Sequence, residues 1–395
     1  MQNKNKEKER IFMLDCARKY LTPAWIKRLI DEISAVGYNV LQIHFAEEMG
    51  HRLESKKFPW LAGGDHSLCV FYVAHGMPEN DGKYITQDEM RDIVRHAQMR
   101  GMDVVPSFDS PGHMNYAVKR YNERFGADIS NYFHKDGKRV IVSGSSIGKE
   151  KSAISYSRGI DLANPEAVAF AKELYSEYGA FFRELGCTSF DMGGDELLGF
   201  GDSVDNSVPK WQNLEHWEKH AKAVTGNPSA VAYDTFVLYM NELAALLYSL
   251  GYESVRMWND DAYRYADTGW REAVKLDTSI DIQYWTHITN DSKNTARFYI
   301  DKGHSVYNFA APYTYYTLYP DKAPTSKTPE QIEREWSPYV FDAVNPDNVV
   351  EAPSEKVKGA GMCLWTDTPD AMAEDELLEN MRAHFTAIAK ATMKE

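Results

Sequence analysis

Ser189-Phe190-Asp191-Met192-Gly193-Gly194-Asp195-Glu196 runs from an apolar approach into two glycines and then two adjacent carboxylates. The apolar residues fit a short strand, and the glycines allow another backbone or a ligand to come close. Such a strand would deliver Asp195 and Glu196 to its C-terminal mouth. Neighbours on an extended chain point to opposite faces, so one acid can meet a reacting bond while the other orients a group beside it. Two acids in two environments is the pattern of glycosidic chemistry. A strand end whose acids merely cap the next helix fits the same eight residues, so the flanking sequence has to decide.

Working outward, the chain alternates strand and helix. Upstream lie apolar runs at Phe12–Ala17, Val40–Phe45 and Val104–Asp109. Between them, Thr22-Pro23 opens a helix whose Trp25, Ile26, Leu29, Ile30 and Ile33 repeat at helical spacing until Gly37, and Thr86 caps another that Gly101 closes. A helix from Pro165 to Leu185 feeds the Gly-Gly-Asp-Glu strand. Downstream, a helix from Tyr233 to Leu250 precedes strands at Ser254–Asp260, Ile280–Trp285, Ser305–Phe309 and Gly361–Asp367. About eight strands alternating with helices predict an α/β fold, a single (β/α)8 TIM barrel with long loops after strands 2 and 3, Met49 to Tyr84 and Asn115 to Gly159. An open doubly wound sheet is the competing arrangement, but the phosphate-binding glycine pattern it often carries is absent. Residues 1–9 read as a polar tail and 10–395 as one barrel.

Composition narrows the function. With 395 residues, 43% of them hydrophobic, the chain can bury one large core. A net charge of -14 argues against nucleic acid and anionic membranes and suits a neutral or cationic ligand. No run of about 18 apolar residues is present, and Met1 to Arg10 lacks the apolar segment of a signal peptide. Cys16, Cys69, Cys187 and Cys363 are widely spaced in mostly apolar surroundings, which favours buried thiols over disulfides or a zinc site.

A barrel should carry its chemistry at the C-terminal ends of its strands. Those ends hold Asp15 and Arg18, Glu47 and Glu48, Asp109 and His113, Asp195 and Glu196, Trp258 with Asp260, Trp285, the tyrosines after Asn308, and Trp365 with Asp367. Each tryptophan alone reads as core. Three beside acids read as walls for a pyranose, whose C–H face packs on an indole.

These motifs resemble glycoside hydrolase family 20, the β-N-acetylhexosaminidases, over almost the whole chain. Arg10 to Arg18 is similar to the opening Arg-Gly-x-Met-Leu-Asp-x-x-Arg, with Ile11 for the glycine. Val104 to His113 is similar to Val-Pro-Glu-x-Asp-x-Pro-Gly-His, with Ser107 for the glutamate, and Phe190 to Glu196 to His-x-Gly-Gly-Asp-Glu, with Asp191 for the histidine. Trp258-Asn259-Asp260 and Trp365-Thr366-Asp367 are also in place. Within the family, the segments after Phe45, around His113 and around Trp258 look closest to enzymes that cut poly-N-acetylglucosamine.

The resemblance implies a retaining hydrolase that releases β-linked N-acetylglucosamine or N-acetylgalactosamine. Its route is substrate-assisted, through an oxazolinium intermediate, with no metal or cofactor. Glu196 would be the acid/base, and Asp195 would orient the acetamido group. Tyr313 is the better match for the tyrosine that holds the acetamido oxygen, although Tyr315 would face the same way. Trp258, Trp285 and Trp365 would wall the pocket. Arg10, Glu47 and Asp367 match sugar-binding positions, and His113 would orient an acid or hold structure. Asp191 would put a negative charge beneath Asp195 that a nearby cation or proton must offset. Release of a lacto-N-biose-type disaccharide, or a catalytically silent glycan-binding barrel, are the alternatives.

Overall fold

The computed structural model describes residues 7–68, 81–135, 138–141, 159–197, 214–263, 272–285, 294–319, 323–343 and 345–393. Eight parallel strands close on themselves: β1 (Glu9–Asp15), β2 (Val40–His44), β3 (Asp103–Ser110), β4 (Ser189–Gly193), β5 (Ser254–Trp258), β6 (Ile280–Tyr284), β7 (Val306–Asn308) and β8 (Val357–Trp365). The order around the barrel follows the sequence, and β8 returns to pair with β1 from Glu9↔Gly359 to Leu14↔Leu364. The (β/α)8 expectation therefore holds. A ninth short strand, Tyr315–Thr317, lies parallel to the C-terminal half of β8.

The helices form where their ends are specified. Helix α1 (Pro23–Ala35) starts with proline in its first turn and Thr22 accepting from the Trp25 N–H. Helix α2 (Gln87–Met99) has a full capping box between Thr86 and Glu89. Helix α4 (Pro165–Glu184) is capped by Asn164, and α6 (Ala232–Ser249) precedes β5. Five helices went unread in the sequence, three of them long. Helix α3 (Asn115–Phe125) lies inside the presumed long loop after β3, α5 (Glu215–Thr225) packs on α6, and α9 (Glu374–Thr392) closes the chain against α1 and β8. The smaller α7 (Ala296–Lys302) and α8 (Pro329–Glu335) complete the outer layer. Among the described residues no helix joins β5 to β6.

Two apolar layers result. The larger fills the space between strands and helices. The smaller lies inside the barrel, where Ile11, Met13, Val40, Val105 and Cys363 pack with Trp258, Phe309 and Trp365, and with Tyr307 toward the N-terminal end. At the N-terminal end Arg256 pairs with Glu9 at 2.7 Å and lies 4.0 Å from the centre of the Tyr307 ring, closing that mouth. Cys16, Cys187 and Cys363 are buried free thiols, as expected, and Cys69 lies outside the described residues. No helix of the described residues is long and apolar enough to cross a membrane.

Candidate active site

At the C-terminal mouth, β4 ends in Gly193 and Gly194 with φ of 71° and 91°. A Cβ on Gly193 would stand 1.9 Å from Asp109 Oδ1, so glycine is required both for the backbone and for the close approach of β3. The turn then places Glu196 itself in the left-handed region, φ 44°, a conformation that needs outside support. Two β5-loop carboxylates supply it: Asp260 Oδ2 accepts from the Glu196 N–H at 2.9 Å, and Asp261 Oδ2 from the Leu197 N–H at 2.8 Å.

His113 faces the acid pair. Its Nε2 lies 3.4 Å from Glu196 Oε2 and 3.7 Å from Asp195 Oδ2, while its Nδ1 sits 2.8 Å from Glu47 Oε2. One imidazole thus bridges Glu47 and both candidate catalytic acids. Burial, together with the Glu196 and Glu47 charges, pushes the Asp195 carboxyl up to about 6, against the pull of His113.

The aromatic wall is contiguous. Trp285 stacks on Tyr315 with ring centroids 5.9 Å apart, Tyr315 meets Trp365 edge-on at 5.8 Å, and Trp365 lies 6.1 Å from Trp258. Asp260 ties this wall to the acids, because its Oδ1 accepts from the Trp285 indole N–H at 3.1 Å. Burial raises the Tyr315 hydroxyl well above its usual range, with the Cys363 and Asp195 charges adding to it. It is therefore a neutral donor at any ordinary pH.

The structure corrects two sequence expectations. Tyr313, preferred on motif alignment, stacks on Trp336 with Lys327 over its ring, outside this wall. The chain from Ala311 to Thr314 is a helical turn and only Tyr315 begins a strand, so the two rings do not share a face as an extended chain would require. Arg10 fails more plainly. It lies at the start of β1, bonded to the Gly37 carbonyl and paired with Glu7, at the end of the barrel opposite the acids.

The arginine that does reach the mouth is Arg18, at the other end of the same motif. Its guanidinium donates to Asp15 Oδ2 at 2.9 Å, Glu47 Oε1 at 2.8 Å and Glu48 Oε1 at 2.9 Å, and lies 5.3 Å from the Trp365 ring centre. Burial opposes its charge, yet Glu47, Glu48, Asp15 and Asp367 hold it more firmly protonated than a free arginine. Asp367 sits in the same field. Burial first, then Glu48, Asp15 and Glu47, lift it to about 7 against Arg18. The Asp15-x-x-Arg18 spacing was visible, but two arginines bracket the motif and only the fold shows which end of a parallel strand faces the site.

Two of the departures from the family pattern touch each other. Ser107 and Asp191 are register partners on β3 and β4, and Ser107 Oγ donates to Asp191 Oδ2 at 2.6 Å. Gln42 Nε2 and the Gly193 N–H donate to the same carboxylate. No cation contacts Asp191 directly among the described residues; neutral donors hold it, and burial raises it.

A family model described as "Glycosyl hydrolase family 20, catalytic domain" matches residues 9–384. Among curated proteins, a lacto-N-biosidase from Bifidobacterium bifidum is 24% identical over 79% of this chain and 24% of its own length. β-Hexosaminidase subunit A1 from Dictyostelium discoideum is 22% identical over 90% of this chain and 54% of its own. The chain therefore spans from a quarter to about half of these relatives. Among solved structures, Dispersin B aligns with a TM-score of 0.68 and 22% identity over 98% of this chain and 100% of its own. The exo β-N-acetylglucosaminidase of Vibrio harveyi gives 0.71 and 20% over 98% and 54%. These last two likenesses establish the fold.

Proposed function

The chain belongs to glycosyl hydrolase family 20 and spans that family's catalytic domain, and from that premise we propose that it removes terminal β-linked N-acetylhexosamine with retention of configuration. The observation that carries the reading is the single imidazole of His113 facing Asp195 and Glu196 beside the Trp285–Tyr315–Trp365 wall.

In this mechanism the substrate's acetamido oxygen attacks the anomeric carbon as the glycosidic bond breaks, and Glu196 gives its proton to the departing oxygen. Asp195 accepts the acetamido N–H and balances the charge of the oxazolinium ion, while Tyr315 donates to the acetamido oxygen. Glu196 then takes a proton from water, whose oxygen adds to the anomeric carbon and opens the ring. Glu47 fixes the imidazole of His113 from behind. Arg18 and Asp367 would hold hydroxyls of the terminal sugar, which favours release of one residue at a time. The net charge of -14 suits a partly deacetylated, cationic poly-N-acetylglucosamine as the polymer.

An aryl N-acetyl-β-glucosaminide tests the core of this. Turnover is expected with the β-anomer as first product by NMR, falling by about 10²–10⁴ in Glu196→Gln. Replacing N-acetyl by N-trifluoroacetyl should slow the reaction, because the weaker carbonyl nucleophile is the attacking group. Sugar binding without turnover would establish the silent barrel instead. Comparing release of N-acetylglucosamine, N-acetylgalactosamine and lacto-N-biose from their aryl glycosides sets the specificity.

A further inference from the structure

His44, Glu47 and Asp109 occupy the C-terminal ends of β2 and β3 and the segment between them, and the proposed reaction assigns neither His44 nor Asp109 a task. All three are buried. His44 Nε2 lies 3.7 Å from Glu47 Oε1 and 3.6 Å from Asp109 Oδ2, and the three atoms fall within 4.8 Å of one another. Those separations are too long for hydrogen bonds. They approach the edges of a ligand set around one small ion, since a tetrahedral centre with bonds of ~2.0–2.1 Å keeps its ligands roughly 3.4 Å apart.

The hydrogen-bond relay fixes the state of the imidazole. Ser107 Oγ has one proton and donates it to Asp191 at 2.6 Å, so at its 2.9 Å contact with His44 Nδ1 it must accept. A proton of His44 is thereby placed on Nδ1, and a neutral ring would aim the Nε2 lone pair toward Glu47 and Asp109. His44 Nε2 and both oxygens of Asp109 have no hydrogen-bond partner although they are fully buried. A buried ring nitrogen and a buried carboxyl that face each other without a hydrogen bond would both be satisfied by a cation between them. Trp365 packs edge-on against the ring, with centroids 5.6 Å apart.

We infer that His44 Nε2, Glu47 Oε1 and Asp109 Oδ2 form a binding site for a borderline divalent cation of the zinc type, set up by Asp191 through Ser107. One imidazole with two carboxylates selects such an ion over magnesium or calcium, which prefer all-oxygen shells. A carboxylate behind a ligating histidine is a usual outer-shell device, and here it is built from Ser107 and Asp191, two of the residues that depart from the family motifs. Glu47 Oε1 also accepts from Arg18, so the ion would share that oxygen with a guanidinium whose charge is also met by Asp15 and Glu48.

Binding is the readout, so this inference and the hydrolase reading can fail separately. The full chain, stripped with chelator and then freed of it, is titrated with ZnCl2 by calorimetry and with CoCl2 by visible absorption. One ion per chain is expected, with the absorption of low-coordinate cobalt. Affinity should disappear in His44→Gln and Asp109→Asn and weaken about 10–100-fold in Ser107→Ala, the mildest change, with folding checked by circular dichroism. No binding by the parent, or binding that Asp109→Asn and Ser107→Ala leave intact, overturns the site.

Discussion

Tyr315 and Arg18 show where single residues were misread and why. The motif resemblance pointed to Tyr313 and Arg10, whereas Tyr315 joins the aromatic wall and Arg18, at the other end of its motif, reaches the acidic mouth. Local spacing cannot tell a helical turn from a strand over four residues, nor which end of a parallel strand faces the ligand. Asp195, Glu196, Trp258, Trp285 and Trp365 were legible because the acids are adjacent and each tryptophan closes or follows a strongly apolar strand. Tyr315→Phe is expected to lower kcat by about 10²–10³ by removing a donor to the developing charge, while Tyr313→Phe changes it only a few-fold. Equal effects on kcat in the two variants would return the role to Tyr313. Arg18→Ala leaves Asp15, Glu47 and Glu48 facing one another in a buried corner and should cost about 3–5 kcal/mol in denaturant unfolding. Arg10→Ala, which removes an exposed pair with Glu7, should cost less than about 1 kcal/mol.

Among elements, the turn from β4 into the acids carries the most constraint. Gly193→Ala meets two penalties, roughly 1–2 kcal/mol for a side chain at positive φ and roughly 1–3 kcal/mol for pressing on Asp109. Both displace β3 from β4, so unfolding midpoint and kcat/KM should fall together; a loss of stability with full activity would mean that the acids do not depend on this contact. The strands were read well because barrel strands are short, apolar on both faces and separated by regular helices. Helix α3 was missed although Tyr116, Ala117, Val118 and Tyr121 are buried along one side and Gly126 ends it in the left-handed conformation. Its first turn has no side-chain cap, so nothing in the sequence announced where the loop stopped. Helix α9 likewise begins at Ala373 without a side-chain cap, and its start is held instead by distant Thr22, which bonds Glu374. Contacts across some 350 positions of sequence are set by closure of the barrel and have no local signature.

For the molecule as a whole, the buried acids and histidines make stability a two-sided function of pH. Burial raises Asp367 to about 7 and Asp195 to about 6, and lifts Asp109 and Asp260 well above the carboxylate range, each helped by neighbouring acids. Groups whose folded pKa is raised bind more protons folded than unfolded, so their contribution is present at low pH and is lost as pH rises through the folded value. Histidines act in the opposite direction. Burial lowers His51 to about 3 and also lowers His220, His304 and His384, so their contribution is present above the ordinary histidine range and is lost as pH falls below it. Asp15 and Glu48, held ionised by Arg18 despite burial, add to that acid-side loss only at lower pH still. The two slopes oppose each other between the ordinary carboxylate and histidine ranges; above the histidine range only the carboxylate slope remains, so Tm should decline from about pH 6.5 to pH 8. Asp367→Asn should remove the part of the decline that runs from the ordinary carboxylate range up to about pH 7, because the amide has no proton to lose. His51→Gln should flatten the acid side alone. A Tm that kept rising from about pH 6.5 to pH 8, or a decline toward about pH 7 that survived Asp367→Asn unchanged, would mean that these carboxylates are already ionised in the folded chain, with their charge offset by a cation in the corner beside Glu47.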